Sequence, residues 1–151
     1  IMTSGPKEIN QALSPLFNAV GKTVVHCGPV PNAGMMKLAV NIVLSASLSG
    51  LMEGAHFAKK GGLNLKTFFQ LILGSPIGND MFAIKAKKIM EQDYAPQASI
   101  ETVREMLKHI ADTAYETQAF IPNTLSNMNL ITTAMNQGLE SKDACALIKT
   151  F

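Results

Sequence analysis

Apolar residues recur every three or four positions along most of this chain, the mark of helices that bury one face. Ile1 to Ser4 is a short apolar start, closed by the punctuating pair Gly5-Pro6. Pro6 suits the first turn of a helix. That helix carries Ile9, Leu13, Leu16, Phe17 and Val20 on its predicted inner face. Pro15 should restart or kink it, and Gly21 should end it. Lys22 to His26, with Val24 and Val25, reads as a short strand. Gly28-Pro29-Val30-Pro31 then forms a loop, because two prolines so close together forbid a helix.

Everything beyond that loop has helical spacing. Asn32 is a predicted N-cap for a long apolar helix reaching about Lys60, stopped by Gly61-Gly62. At the usual rise per residue it would be ~40 Å long. The stretch from Ala33 to Met52 is apolar enough to need a membrane test, but Lys37, Asn41, Ser45, Ser47 and Ser49 dilute it. Its uncharged part, Leu38 to Met52, falls short of the ~20 residues a span needs. A helix apolar almost all round is then expected at the buried centre of a bundle. Gly50 and Gly54, spaced by four, offer a stripe for close packing of another helix.

Asn64 caps a predicted helix over Leu65 to Leu73, and Gly74-Ser75-Pro76 breaks it. The next helix carries Met81, Phe82, Ile84, Ala86 and Ile89, and ends near Asp93 to Pro96. Ser99 caps another, with Val103, Met106, Leu107, Ile110 and Ala114 inward. Pro122-Asn123 starts one with Leu125, Met128, Ile131 and Met135 inward and Gly138 at its end. Ser141 is the predicted cap of a last short helix through Ile148. The expected fold class is therefore all-α, a helical bundle around one long central helix. Two lone strands cannot stand as a sheet, so they read as the trailing edge of a sheet whose remainder lies outside this sequence.

Composition narrows the function. Among 151 residues, 47% are hydrophobic and 16% charged, a globular balance. The net charge of +2, without a basic stripe, argues against nucleic acid as a partner. No basic segment followed by an apolar one opens the chain, so no signal peptide is expected, and the expected location is cytoplasmic, with the mitochondrial matrix as the alternative. Cys27 and Cys145 have no partner spacing and read as buried or half-buried thiols in a reducing compartment. Neither they nor His26, His56 and His109 show metal-ligand spacing, so no metal is expected.

Lys37 is the most informative residue. It is the only formal charge between Thr23 and Glu53, and Asn41 follows one turn later on the same face. A lysine ammonium held against apolar surface loses hydration, which suits it to exchange protons near neutrality. Asn41 would then orient the lysine or bind a substrate oxygen. The competing reading is a lysine that snorkels to water beside an unrelated amide.

The segment from His26 to Asn41 resembles the junction of the 3-hydroxyisobutyrate dehydrogenase (β-hydroxyacid dehydrogenase) family. There a glycine precedes two further glycines, a lysine and, four residues on, an asparagine. Gly28, Lys37 and Asn41 match that pattern, while Pro31 and Ala33 stand at the other two glycine positions. The resemblance implies that Lys37 is the catalytic acid/base, that Asn41 holds the substrate, and that Gly28 and Gly34 belong to the junction loop beside it. It extends along the chain. Ile1 to Pro6 is similar to the last strand and turn of the family's Rossmann domain. Glu53 to Leu63 is similar to the end of its interdomain helix, Lys108 to Pro122 to its substrate-side helix and proline loop, and Gly138 to Ala144 to its closing segment.

What the resemblance implies is specific. Residues 1–30 would be the trailing edge of a truncated nucleotide-binding Rossmann domain. Residues 31–151 would be a helical substrate-binding and dimerisation domain, similar to the C-terminal domain of 6-phosphogluconate dehydrogenase. The full-length protein would be an NAD- or NADP-dependent oxidoreductase acting on a small 3-hydroxy acid or the matching semialdehyde. Its partners would be that substrate, its own Rossmann domain and a second copy in a homodimer, with no membrane. The sequence holds no Gly-x-Gly-x-x-Gly after a strand, so the cofactor would be bound mainly outside this chain, and the chain alone would be inactive.

One departure stands out. The family places a Lys-Asp pair in the substrate-side helix. Counting back from Pro122 without gaps puts Glu105 and Met106 there, and a slip of one residue gives Arg104-Glu105. Arg104, Glu105 and Lys108 are then the candidates for reaching the cofactor, against the alternative of a solvated helix face laced by its own ion pairs. A non-catalytic helical dimerisation or scaffold domain derived from the same family is the rival to the enzyme.

Overall fold

The computed structural model describes residues 1–151, which divide into two compact units, Ile1–Asn41 and Ile42–Phe151. The first unit opens with β1 (Met2–Thr3), followed by α1 (Lys7–Ala12), α2 (Ser14–Val20) and β2 (Val25–His26). The two strands pair in parallel, Met2 opposite Val25 and Thr3 opposite His26. Parallel neighbours need a crossover, which α1 and α2 provide. The expected break near Pro15 falls at Leu13, and Pro15 occupies the first turn of α2, where its missing N–H costs nothing. The face predicted to be inward is not covered: no residue of α1 or α2 is buried, and Ile9, Leu16 and Val20 are exposed. The strand expected from Lys22 shortens to two residues because β1 offers only two partners.

The long helix forms as expected. α3 runs Asn32–Lys60, and its first ten residues belong to the first unit. By length and composition it could cross a membrane, and only 28% of its most apolar stretch is buried. The expectation of a helix buried throughout therefore fails: only one face of its second half is covered, and Phe57 on the other face is exposed. Leu48, Leu51, Met52, Ala55 and Ala58 are buried, whereas Met36, Val40 and Val43 are exposed. Asn32 is not an N-cap. It sits inside the first turn, and its amide donates to the Cys27 carbonyl at 2.9 Å, tying the helix to the preceding loop.

The second unit is all-α. It holds the rest of α3, then α4 (Leu65–Leu73), α5 (Asp80–Met90), α6 (Ile100–Thr117), α7 (Pro122–Asn136) and a closing 3-10 helix, Ala144–Lys149. Asn64 and Ser99 cap α4 and α6, accepting from the Thr67 and Thr102 N–H groups at 3.1 Å. Gly54 packs against the Phe68 ring of α4, where an added Cβ would lie 3.2 Å from it; Gly50 faces open space. Leu107, Ile110 and Ala114 of α6 are buried as expected.

Leu125, expected inward on α7, is exposed, as is Ile84 on α5. In their stead Lys85 and Lys88 of α5, and Thr124 and Asn127 of α7, turn inward. Ser141 does not cap the last helix. Asp143 does, accepting from the Cys145 N–H at 3.0 Å.

Asp143 explains the buried lysine. It is fully buried, and Lys85 Nζ lies 2.9 and 3.0 Å from its two oxygens. The Gln97 N–H also donates to it at 2.9 Å, and Lys85 further donates to Gln97 Oε1 at 3.2 Å. One carboxylate thus fastens α5, the α5–α6 loop and the closing helix. Burial opposes its charge, but the Cys145 N–H, the Lys85 ammonium and the Gln97 N–H outweigh that and hold its pKa down at about 2.

Candidate functional site

The residues from Gly28 to Asn41 assemble within the first unit. β2 ends at His26, and Cys27 N–H donates to the Thr3 carbonyl at 2.7 Å. Gly28 accepts from Gly5 N–H at 2.9 Å, so the turn after β1 and the turn after β2 are joined. Gly28 has φ +96°, and a Cβ there would lie 3.0 Å from the Asn32 amide. Glycine is required at this position because an L side chain disfavours that backbone and would press on the Asn32 anchor. The chain then enters α3 through Pro31, whose carbonyl accepts from Gly34 N–H at 3.0 Å.

This path places Gly34 and Lys37 one turn apart at the start of α3. With Ile1, Met2 and Ala33 they line an open hollow of about 500 Å³ beside the start of β1. A Cβ on Gly34 would meet nothing within 4 Å, so the glycine keeps that side of the hollow clear. Lys37 is exposed, contrary to the expectation that its position in an apolar helix shelters it: the neighbouring apolar side chains Met36 and Val40 are exposed too. Asn41, one turn on, is buried, with 8% of its surface exposed. An exposed ammonium and a buried amide thus stand one turn apart on one helix face, an arrangement able to exchange a proton and orient a polar oxygen.

Arg104, Glu105 and Lys108 lie in the second unit, on the exposed face of α6. Arg104 donates to Glu101 and to Glu105, both at 2.7 Å, and Lys108 to Asp112 at 2.6 Å. These carboxylates raise the pKa of both cations, the hydrogen bond to Glu101 or Asp112 contributing most. This is the self-paired, solvated face that competed with the cofactor reading. Met106 beside them is half-buried. The Lys85–Asp143 contact escaped the sequence reading, although the Phe82/Lys85/Ala86/Ile89 spacing put Lys85 on the apolar face.

Comparison with known proteins gives this geometry a family. The family model described as the NAD-binding domain of NADP-dependent 3-hydroxyisobutyrate dehydrogenase matches residues 32–151. L-threonate dehydrogenase of Escherichia coli (strain K12) is 24% identical over 152 residues, covering all of this chain and 50% of its own length. The cytokine-like nuclear factor N-PAC of Aedes aegypti is 22% identical over 147 residues, 97% of this chain and 26% of its own. A crystal structure of 3-hydroxyisobutyrate dehydrogenase from Salmonella typhimurium superposes with a TM-score of 0.90 at 24% identity, over 98% of this chain and 52% of that one. The chain spans about half the length of the dehydrogenases it matches, in a family that uses NAD or NADP. Its helical fold, its short parallel βαβ start and the match over 32–151 agree: the chain belongs to the family of C-terminal, NAD-binding domains of NADP-dependent 3-hydroxyisobutyrate dehydrogenases.

Proposed function

We propose that this chain is the substrate-side half of an NAD(P)-dependent oxidoreductase acting on a small 3-hydroxy acid or the matching semialdehyde, and that Lys37 and Asn41 are its catalytic pair. The observation that carries this reading is their placement one turn apart on α3, with Lys37 in the hollow beside β1 and Asn41 buried. The L-threonate relative supports the substrate class. On this reading residues 1–30 are the end of a nucleotide-binding domain and 31–151 form the substrate-binding and dimerisation domain, the working protein being a homodimer in the cytoplasm or the mitochondrial matrix.

The residues present do not make a dinucleotide cradle. No Gly-x-Gly-x-x-Gly occurs, and the cations of α6 are held by their own carboxylates. The nicotinamide cofactor, when bound by the remainder of the protein, supplies the hydride exchange. This chain exchanges the proton. Lys37 Nζ accepts the hydroxyl proton of the substrate in oxidation and returns one to the carbonyl oxygen in reduction. Asn41 fixes the reacting oxygen against it, a positioning effect that contributes much of the rate.

The test is turnover of the protein carrying both halves. Lys37→Ala should lower kcat by more than ~100-fold, the scale of general acid–base catalysis, with cofactor affinity nearly intact. Lys37→Arg should fail almost as badly, because a guanidinium keeps its proton near neutral pH. The 151-residue chain alone should show no activity. Lys37→Ala with more than about a hundredth of wild-type turnover would remove Lys37 from the mechanism. It would favour the second reading, a non-catalytic helical dimerisation or scaffold domain, for which Glu105 and Met106 in place of the family pair speak.

A further inference from the structure

On the function proposed above, which seats the substrate beside Lys37, we infer that Gly34 sets the size of the substituent the substrate can carry. An alkyl branch on the carbon next to the carboxylate of the 3-hydroxy acid lies over the bare backbone of Gly34.

Nothing in the fold asks for glycine at this position. Gly34 lies in the first turn of α3 with helical backbone, unlike Gly28, whose φ is +96°. A Cβ on Gly34 would meet no atom within 4 Å, so no neighbour packs against it. Gly54 shows the contrast, since a Cβ there would lie 3.2 Å from the Phe68 ring. Glycine also weakens a helix relative to alanine, because it gives up more conformational freedom on folding. A glycine that neither the turn nor the packing requires points to close approach by a group from outside the chain.

The surroundings select that group. Gly34 precedes Lys37 by three residues, so the two share a face of α3. Both line the hollow, whose other walls are Ile1, Met2 and Ala33. Lys37 is the only one of these side chains that can donate a hydrogen bond. With its Nζ engaged by the reacting oxygen, a carboxylate or a further hydroxyl over Gly34 finds no side chain to donate to it. An alkyl group needs no such partner, and Ile1 and Met2 shield it from water. A methyl added at Gly34 would take up the space of that group. One methylene of room in an apolar pocket is worth about 10- to 200-fold in discrimination.

The experiment is steady-state kinetics on the protein carrying both halves, with 3-hydroxypropanoate and with 2-ethyl-3-hydroxypropanoate, which differ by one ethyl branch. Gly34→Ala should lower kcat/KM for the branched acid by at least about tenfold and for the unbranched acid by less than about threefold. The thermal midpoint should hold or rise, as expected for alanine at a helical position. Gly50→Ala is the control: Gly50 is also helical with open space above it but belongs to the second unit, and its variant should leave the ratio of the two acids unchanged. Three results would overturn the role of Gly34. Equal losses for the two acids, or a midpoint lowered by more than about 2 °C, would each give the bare backbone to packing against the rest of the protein. The same change of ratio in Gly50→Ala would make the effect a general one of α3. Lys37→Ala separates this role from the chemistry it depends on. If Lys37→Ala is inactive while Gly34→Ala keeps the native ratio, the role of Gly34 alone fails; if the native protein turns over neither acid, both fail.

Discussion

Replacing Lys85 by methionine should be the most damaging single change in the helical unit. Methionine keeps the aliphatic stem on the inner face of α5 but removes the ammonium 2.9 Å from Asp143. The carboxylate is fully buried and would keep only the Gln97 and Cys145 N–H groups, at 2.9 and 3.0 Å. Leaving one charge of a buried pair uncompensated costs about 3–5 kcal/mol, a large fraction of the stability of a domain of this size. The Lys85→Met/Asp143→Asn double variant should recover at least about 1 kcal/mol of that loss, since the two residues share one network. Lys88 is an internal control. It is as buried as Lys85, but its partner Asp93, at 2.7 Å, is half exposed to water, so Lys88→Met should cost clearly less.

The same pair fixes a pH dependence. The Asp143 carboxyl sits at about 2 in the folded chain against an ordinary 3.8. A carboxyl depressed on folding stabilises the fold above its unfolded pKa, and that contribution disappears as pH falls from 3.8 through 2. Its size is about 2 kcal/mol. Urea unfolding followed by far-UV circular dichroism at pH 7, 4.5, 3 and 2 reads both effects. A Lys85→Met cost below about 1 kcal/mol, within the range of an exposed pair, would refute the reasoning. So would an Asp143→Asn variant whose stability still falls below pH 4 as steeply as that of the native chain.

Cys145 is held up at about 12 by burial and by the neighbouring Asp143 carboxylate, so a thiol reagent at pH 8 should label the native chain only at the half-buried Cys27 and label both thiols in urea; two fast labels in the folded chain would contradict this. Gly28→Ala should cost about 1 kcal/mol or more, because its φ of +96° and the Asn32 amide 3.0 Å away both oppose a Cβ. Faster hydrogen exchange at Gly5 N–H, which donates to Gly28, should report it, and unchanged exchange there would count against the junction described.

The sequence made the element order legible because helix spacing, caps and breakers are local signals. Asn64 and Ser99 cap the helices expected of them, and Gly61-Gly62 follows the last turn of α3. What it concealed depends on partners distant in the chain. Lys85 lies on an apolar face, and only Asp143, 58 residues away, explains it. Asn32 looked like a cap because its residue type allows one, yet the turn at Gly28 draws its amide to Cys27. Leu125 has the helical spacing of an inward residue, yet it is exposed, and Thr124 and Asn127 occupy the inner face of α7. Lys37 and Asn41 were legible as a pair because i, i+4 spacing is intrinsic to a helix, but the exposure of Lys37 was not, since periodicity does not say which apolar side chains find cover.

That exposure ties the proposed chemistry to the apolar surface of the first unit. Ile9, Leu16 and Val20 on the crossover helices, Val25 on β2, and Met36 and Val40 beside Lys37 all face water in this chain. On the function proposed above, a nucleotide-binding half of the protein would cover them. A lysine that exchanges protons efficiently needs the same cover, because water at the site screens and competes for the proton. Joining that half to the chain should therefore do two things together. Amide exchange along α1 and α2 should slow, and acylation of Lys37 by a water-soluble amine reagent should slow by about tenfold or more relative to Lys59 and Lys60, which are exposed at the far end of α3. Adding a substrate acid should slow Lys37 further. If α1 and α2 become protected while Lys37 stays as reactive as Lys59, the cover has formed without closing over the lysine, and Lys37 is a surface residue of a domain whose function lies elsewhere.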